Sequence, residues 1–462
     1  MNKKLLKLIT IPLLCICIFA IILSLSTGCS FRLRKDDAVT IWIMPNSQEP
    51  ENDLKDVLFP FHEKNPEIKI EITPIDWGAA WVKITTAATS GQAPDIVQLG
   101  TTWIGSVSAL NILTDLTEHA QEIDGANKFV KASWKTGVLV DTKKVMSIPW
   151  FVDARAMFYR TDVFDKLNIS AKDIDTWEGF EKALVKIKKA DLTINGIKVA
   201  PLGISGKNDW NVIHNIAPWI WMAGGGYLKT DLKKSNLDSP ESINGLSFYV
   251  SLVKKGYIPL ESLEKNTAQI SSGFNNGYYA MYFDGPYQLK NLTTPPERGG
   301  SSNLPTAKNF AVPYPKGPKG RVTFIGGSSL AIFKTSKKKK QAWKVVKYLT
   351  TDRNAQISYA KATGYIPVYK ESFDSAYFRK DNNRKVFIDA VAYGRSYPTI
   401  SVWGILEPVL TRSLGIMWDN VIECTEKNLA IKPIITKALK ESASEMNKEL
   451  MNQERKKQND TK

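Results

Sequence analysis

Ile148-Pro-Trp-Phe-Val-Asp-Ala-Arg-Ala-Met-Phe-Tyr159 is the stretch on which the reading of the fold turns. A proline stands near its start, and an alternating strand follows with Val152, Ala154, Ala156 and Phe158 on one face. Asp153 and Arg155 are expected on the other face, beside Trp150. Taken alone, such a segment reads as an edge strand with its charges in water. Its surroundings argue otherwise. Before it the chain reads as strand and helix units forming one compact lobe, and after it a second run of such units begins. A short extended segment joining two lobes would place Trp150, Asp153 and Arg155 in the cleft between them.

Working outward on the N-terminal side, Ala38 to Met44 is an apolar, β-branched run that reads as a buried strand. Leu54, Val57, Leu58 and Phe61 recur at helical spacing, with Pro60 late in that helix. Ile68, Ile70 and Ile72 alternate with polar residues, a strand with one buried face. A helix around Ala79 to Ser90 stops at Gly91, and a turn then delivers the short strand that ends at Gly100. This order implies an α/β lobe with mostly parallel strands, whose ligands bind beyond the carboxyl ends of those strands. The residues there are Asn46, Trp77, Gln98, Thr101, Thr102 and Trp103.

On the C-terminal side, Asp175 and Glu178 read as a capping box ahead of a helix carrying Phe180, Leu184 and Ile187. Ser239-Pro240-Glu241 opens another, which stops at Gly256. The run Gly224 to Gly226 lacks the spacing and the flanking residues of a phosphate loop, so it reads as a loop after a helix. Ala280 to Phe283 reads as a strand ending in the turn Asp284-Gly-Pro-Tyr287, with an exposed acid and aromatic. Val322 to Ile332 reads as a second crossing between lobes, with Gly326, Gly327 and Ser328 facing the cleft. The helix of Ala342, Val345, Val346 and Leu349 then returns to the first lobe.

The N-terminus is a targeting segment, with Lys3, Lys4 and Lys7 ahead of an apolar run from Leu8 to Leu25 and then Leu25-Ser-Thr-Gly-Cys29. That junction resembles the lipobox of bacterial lipoproteins, with Ser26 where an aliphatic residue is usual. The resemblance implies cleavage after residue 28 and a lipid on Cys29. A retained anchor helix is the alternative. Of four cysteines only Cys424 lies in the folded part, so no disulfide framework is expected and a large apolar core must hold the fold. The net charge is +16, or +13 without the three leader lysines. Lysines are spread rather than interleaved with aromatics, which reads as a solvated surface near an anionic envelope and excludes a nucleic-acid groove. His62, His119 and His214 are isolated, so no metal site is expected, and no cofactor motif occurs. Asn452 to Lys462 reads as a frayed polar tail.

Phe61-His-Glu-Lys-Asn-Pro-Glu-Ile-Lys-Ile70, Ser90-Gly-Gln-Ala-Pro-Asp-Ile-Val97 and Ile148 to Tyr159 recur together with further segments. These are Asp175 to Phe180, Gly277 to Tyr287, Ser336 to Trp343, and Gly364-Tyr-Ile-Pro-Val368. Their order and spacing resemble the extracellular solute-binding proteins of carbohydrate uptake, the maltose-binding-protein-like partners of ABC importers. The resemblance implies a two-lobed, type II periplasmic-binding-protein-like α/β fold, each lobe a mostly parallel sheet flanked by helices and joined by crossing hinge segments. The organisation expected from it is a leader over 1–28, a linker over 29–37, lobe 1 over 38–151 and 324–372, lobe 2 over 152–323 and 373–450, and a tail over 451–462. It also implies a third crossing after Val368, a cleft-lining Asp284 turn, and stacking by Tyr287 and Trp403. An extracytoplasmic monomer on the outer face of the cell membrane, with a sugar ligand and a permease partner, completes that expectation.

The residue types suit a sugar on physical grounds. Aromatic rings cover the apolar face of a pyranose, while Asp, Asn, Gln and Arg satisfy its hydroxyls. Of thirteen tryptophans, Trp77, Trp103, Trp150, Trp210 and Trp403 fall in loops or at strand ends, and most of them are expected near the cleft. Two other readings stay open. The same fold could take a glycerophosphodiester or a polyamine, or Asp153 and Asp284 could form the acid and base of a secreted glycoside hydrolase.

Overall fold

The computed structural model describes residues 37–207, 209, 211–298, 300 and 309–460. The chain divides into two units, Met1–Ala38 and Val39–Lys462. The leader, the cleavage site, Cys29 and Trp210 therefore lie outside the described residues. Among those described, no helix is long and apolar enough to cross a membrane.

The second unit carries two principal sheets. The first strands of the larger alternate with helices in the expected order: β1 (Val39–Ile43), α1 (Pro50–Lys64), β2 (Ile70–Pro74), α2 (Trp77–Ser90), β3 (Ile96–Gly100) and the short α3 (Ile104–Ala109). Asp76 caps α2 by accepting from the Gly78 and Ala79 N–H groups, and Gly91 ends it at φ 71°, a left-handed conformation natural to glycine. After α4 (Lys131–Thr136) comes β4 (Ile148–Ala154), and β5 (Ala156–Arg160) follows with one residue between. The smaller sheet adds β6 (Ala200–Gly203), β7 (Tyr279–Asp284) and β8 (Asn309–Val312). β9 (Thr323–Ile332), β10 (Ile366–Pro367) and β11 (Gly394–Arg395) return to the larger one.

The larger sheet is seven-stranded, in the order β10-β4-β9-β3-β1-β2 with β11 beside β9, and the smaller is four-stranded, β8-β5-β7-β6. Pairing is mixed rather than mostly parallel: β1 runs parallel to β2 and β3, whereas β9 is antiparallel to β3 and β4. In the smaller sheet only β6 and β7 are parallel. The reason is the crossings. β4 and β9 each carry the chain between the sheets, in opposite senses, so they pair as neighbours running opposite ways.

Side-chain alternation corrects one expectation at β4. Trp150 shares its face with Val152 and Ala154, not with Asp153, and all three are fully buried. The Trp150 ring stacks on Tyr359 with centroids 4.2 Å apart. Elsewhere the helix over Trp177–Ala190 is capped by Thr176, whose hydroxyl accepts from the Gly179 N–H at 3.1 Å. Asp175 instead pairs with Arg321, and with Lys316 at 3.1 Å. The C-terminal helix runs through Lys432–Asp460, so the expected frayed tail is helical almost to its end. The core of the smaller-sheet lobe is built on α5 (Val212–Met222), where Trp219 is fully buried, stacks on Tyr249 at 4.9 Å and meets Phe283 edge-on at 5.6 Å. Cys424 is a buried free thiol.

Candidate ligand-binding site

Arg155 is the residue left over where β4 leaves one sheet and β5 enters the other. Its backbone is held by Thr323, whose hydroxyl donates to the Arg155 carbonyl at 2.6 Å. Its guanidinium pairs with Asp153 at 3.1 Å and Asp284 at 3.0 Å, with the three side chains 7%, 14% and 0% exposed. Asp284 was expected at an exposed turn. It is buried because Arg155 neutralises it, because the Ser271 and Tyr287 hydroxyls donate to it, and because the Gly285 N–H donates at 2.7 Å.

One cation thus faces two carboxylates in a dry setting. Burial raises the Asp153 pKa to about 6; Arg155 pulls it down, and Asp284 adds to the rise. Burial also works against the charge of Arg155, yet Asp153, Tyr287 and Asp284 hold it ionised. Two buried atoms in the cluster have no partner, Asp153 Oδ1 and Arg155 Nε. Gly285 is required beside them, since a Cβ there would stand 2.3 Å from Asp153 Oδ1. The arrangement leaves one acceptor and one donor desolvated and without a protein partner.

Aromatic rings flank the cluster. Tyr287 is half-buried and lies 5.7 Å from Tyr365, which stacks on Phe151 at 4.4 Å. Beyond the ends of β1 and β3, Asn46 donates to the Tyr359 hydroxyl at 2.8 Å and to Gln98 Oε1 at 3.1 Å. Gln98 Nε2 donates in turn to the Ser328 hydroxyl at 2.9 Å. Gln98 and Ser328 are fully buried, so their hydrogen bonds are used in tying β1, β3 and β9 together, whereas Asn46 is half-buried. Trp77 and Trp103 meet edge-on at 5.7 Å, and Trp81 joins them 5.9 Å from Trp103. Thr101 is held by its N–H to the Gly327 carbonyl at 3.2 Å.

A second buried group lies where α3 abuts α6 (Trp403–Glu426). A Cβ on Gly105 would stand 2.3 Å from the Ile400 carbonyl oxygen, so only glycine permits this approach. Glu407 accepts from Thr102 and from the Trp403 indole N–H, the latter at 3.0 Å, and burial pushes its pKa up to about 7. His214 Nε2 lies 3.8 Å from it, but burial and the Arg155 charge push the His214 pKa down to about 3, so the imidazole is neutral. Trp403, expected to stack on ligand from the cleft side, is only 1% exposed and stacks on Tyr397 at 4.5 Å. Of the tryptophans expected near the cleft, Trp150 and Trp403 are thus packed against protein, and Trp77 and Trp103 keep partial exposure.

Tyr365, Ser271, Trp81 and Glu407 were not singled out from sequence. Tyr365 alone had a signal, its place in the Gly364 to Val368 segment. Because the Glu407 pKa lies above the ordinary 4.5, the folded state holds its proton more tightly than the unfolded chain. The group therefore costs stability as pH rises from about 4.5 to about 7. Glu407→Gln removes that cost: relative to the parent, the variant gains stability by up to about 3 kcal/mol between those limits. Urea midpoints of both chains across that range measure it, and a constant difference would sink the assignment.

Two lobes, a crossing segment and a buried polar cluster at their junction define a class of cleft-binding proteins. A model of the family described as bacterial extracellular solute-binding protein matches residues 57–386. The chain belongs to that family. It is 24% identical over 396 residues to the diacetylchitobiose binding protein DasA of Streptomyces coelicolor, with 82% of this chain and 85% of the relative covered. The sugar-binding protein MalE of Xanthomonas citri has a similar structure, with a TM-score of 0.73 at 23% identity over 90% of this chain and 98% of that one. UgpB of Mycobacterium tuberculosis, in complex with glycerophosphocholine, gives 0.72 at 16% identity over 90% and 99%. The structural likenesses establish a shared two-lobed α/β fold.

Proposed function

We propose that this chain captures a sugar or oligosaccharide between its lobes by hinge closure and delivers it to an ABC importer. In this reading it works outside the cytoplasmic membrane as a monomer, tethered by a lipid on Cys29. Closure is stabilised because a ligand held on one lobe gains contacts on the other only when the cleft shuts. The observation that carries the reading is the Asp153–Arg155–Asp284 cluster, whose free acceptor and free donor stand beside Tyr287 and Tyr365. Buried polar atoms without partners favour a ligand that brings hydroxyls, and the rings favour one with an apolar face. The expected contacts are Asp153, Arg155 and Tyr287 at the centre, with Asn46, Trp77, Thr101, Thr102 and Trp103 on the larger-sheet side.

The same cluster weighs against the alternatives. A polyamine would find one of the two carboxylates already neutralised by Arg155, and a phosphodiester would meet two carboxylates against a single cation. A glycosidase needs two working carboxyl groups, whereas Asp284 is occupied by Arg155, Ser271, Tyr287 and the Gly285 N–H. Thermal unfolding of the full chain with a panel of mono- and oligosaccharides tests the proposal, with glycerophosphocholine and spermidine in the same panel. A sugar at a hundredfold excess over its Kd adds about 2.7 kcal/mol and raises the midpoint, and the sugar is recovered unchanged. If only a non-sugar solute raises it, the substrate class is wrong. If the sugar is cleaved, the protein is an enzyme.

A further inference from the structure

A groove of about 620 Å³ opens between α4 with the loop after it, the Tyr227–Leu232 loop, and the segment from Val391 to Thr399. It includes no residue of the Asp153–Arg155–Asp284 cluster. Its charged lining is Lys131, Lys135, Lys143, Lys229 and Arg395, with no Asp or Glu among the lining residues. All five are exposed, and among the described residues none is paired with a carboxylate. Their sequence neighbours behave differently: Lys128 pairs with Glu371 at 3.6 Å and Lys144 with Asp115 at 3.3 Å.

Arg395 is the organised member of the set. Its guanidinium lies over the Trp221 ring, 4.8 Å from the centroid, and that ring is itself 4% exposed and packed against Tyr397 at 5.7 Å. Stacking fixes the plane of the guanidinium while leaving its N–H fork unused, the arrangement that matches two oxygens of one anion. Five uncompensated cations around one concavity repel each other and focus a positive potential into it. A groove of this volume holds a small solute or a headgroup. We propose that it binds a phosphate-bearing ligand, with Arg395 as the bidentate anchor and the lysines as the surrounding charge.

Calorimetric titration of the full chain with tripolyphosphate, in parallel with flotation on vesicles of phosphatidylglycerol or of phosphatidylcholine, tests this. Saturable tripolyphosphate binding is expected, weakened about tenfold or more by Arg395→Gln. Arg395→Lys does not restore it, because an ammonium lacks the fork. The double variant Lys337→Gln/Lys340→Gln, which removes more charge away from the groove, leaves it unchanged. If tripolyphosphate fails but phosphatidylglycerol vesicles bind with the same dependence on Arg395, the groove stands and its phosphate is a lipid headgroup. No binding in either arm overturns the proposal, as does a loss in the Lys337/Lys340 variant equal to that in Arg395→Gln. Thermal midpoints of every variant separate lost binding from lost folding. A midpoint shift given by a phosphorylated solute that survives Arg395→Gln belongs to the interlobe cleft instead.

Discussion

Arg155→Ala lowers the free energy of unfolding by about 3–5 kcal/mol near pH 8, and the loss shrinks near pH 5. Removing the guanidinium leaves Asp153 and Asp284 buried with no cation beside them, and their mutual repulsion is unopposed. Asp153 has a pKa already raised to about 6, because burial outweighs the help that Arg155 gives. Without Arg155 that pKa rises further, so acid protonates the carboxyl and relieves the strain on the pair. Arg155→Lys should fall between, since one ammonium cannot bridge both carboxylates as the guanidinium does. Urea titrations of the three chains at the two pH values give the answer. A loss independent of pH would mean that Arg155 acts through packing alone and that charge compensation is not what holds the crossing.

Asp153→Asn is expected to separate binding from stability. The residue offers one acceptor with no protein partner, so a sugar hydroxyl would complete it with a charge-assisted bond. Losing such a bond costs about 1.5–3 kcal/mol, or roughly 10- to 150-fold in affinity. Stability should hold or rise, because a carboxyl whose folded pKa lies above its ordinary value costs stability as pH rises from about 3.8 to about 6. Asp284 keeps Arg155 compensated in the variant. Calorimetric titration with the sugar identified by thermal shift measures the first effect and urea unfolding the second. Unchanged affinity in a folded variant would move the ligand away from this cluster.

Much of the local structure was legible because its causes are local. Gly91 ends α2 through its own backbone freedom, and Ser239 caps the helix over Pro240–Lys254 by accepting from the Ser242 N–H at 3.2 Å. The Ile148 to Tyr159 stretch was legible as the crossing because its apolar alternation sits between two sets of strand and helix units. Trp150 follows the strand's period of two: it lies with Val152 and Ala154 and is buried with them, away from Asp153.

What stayed hidden depends on partners far along the chain. Asp284 ends a strand in a Gly-Pro turn, and such an acid is ordinarily in water; it is buried only because Arg155, 129 residues earlier, reaches it. Glu407 sits on a helix with no local motif, and its raised pKa arises from burial, against the hydrogen bonds from Thr102 and Trp403 that lower it. Strand direction was hidden for the same reason, since the antiparallel partners of β9 come from segments more than a hundred residues away. The sequence by itself determined the elements, the crossing and the family, since each rests on short-range pattern or on ordered motifs. Only the tertiary structure decided which charges are buried and which rings pack against protein, because desolvation and pairing are properties of assembled surfaces.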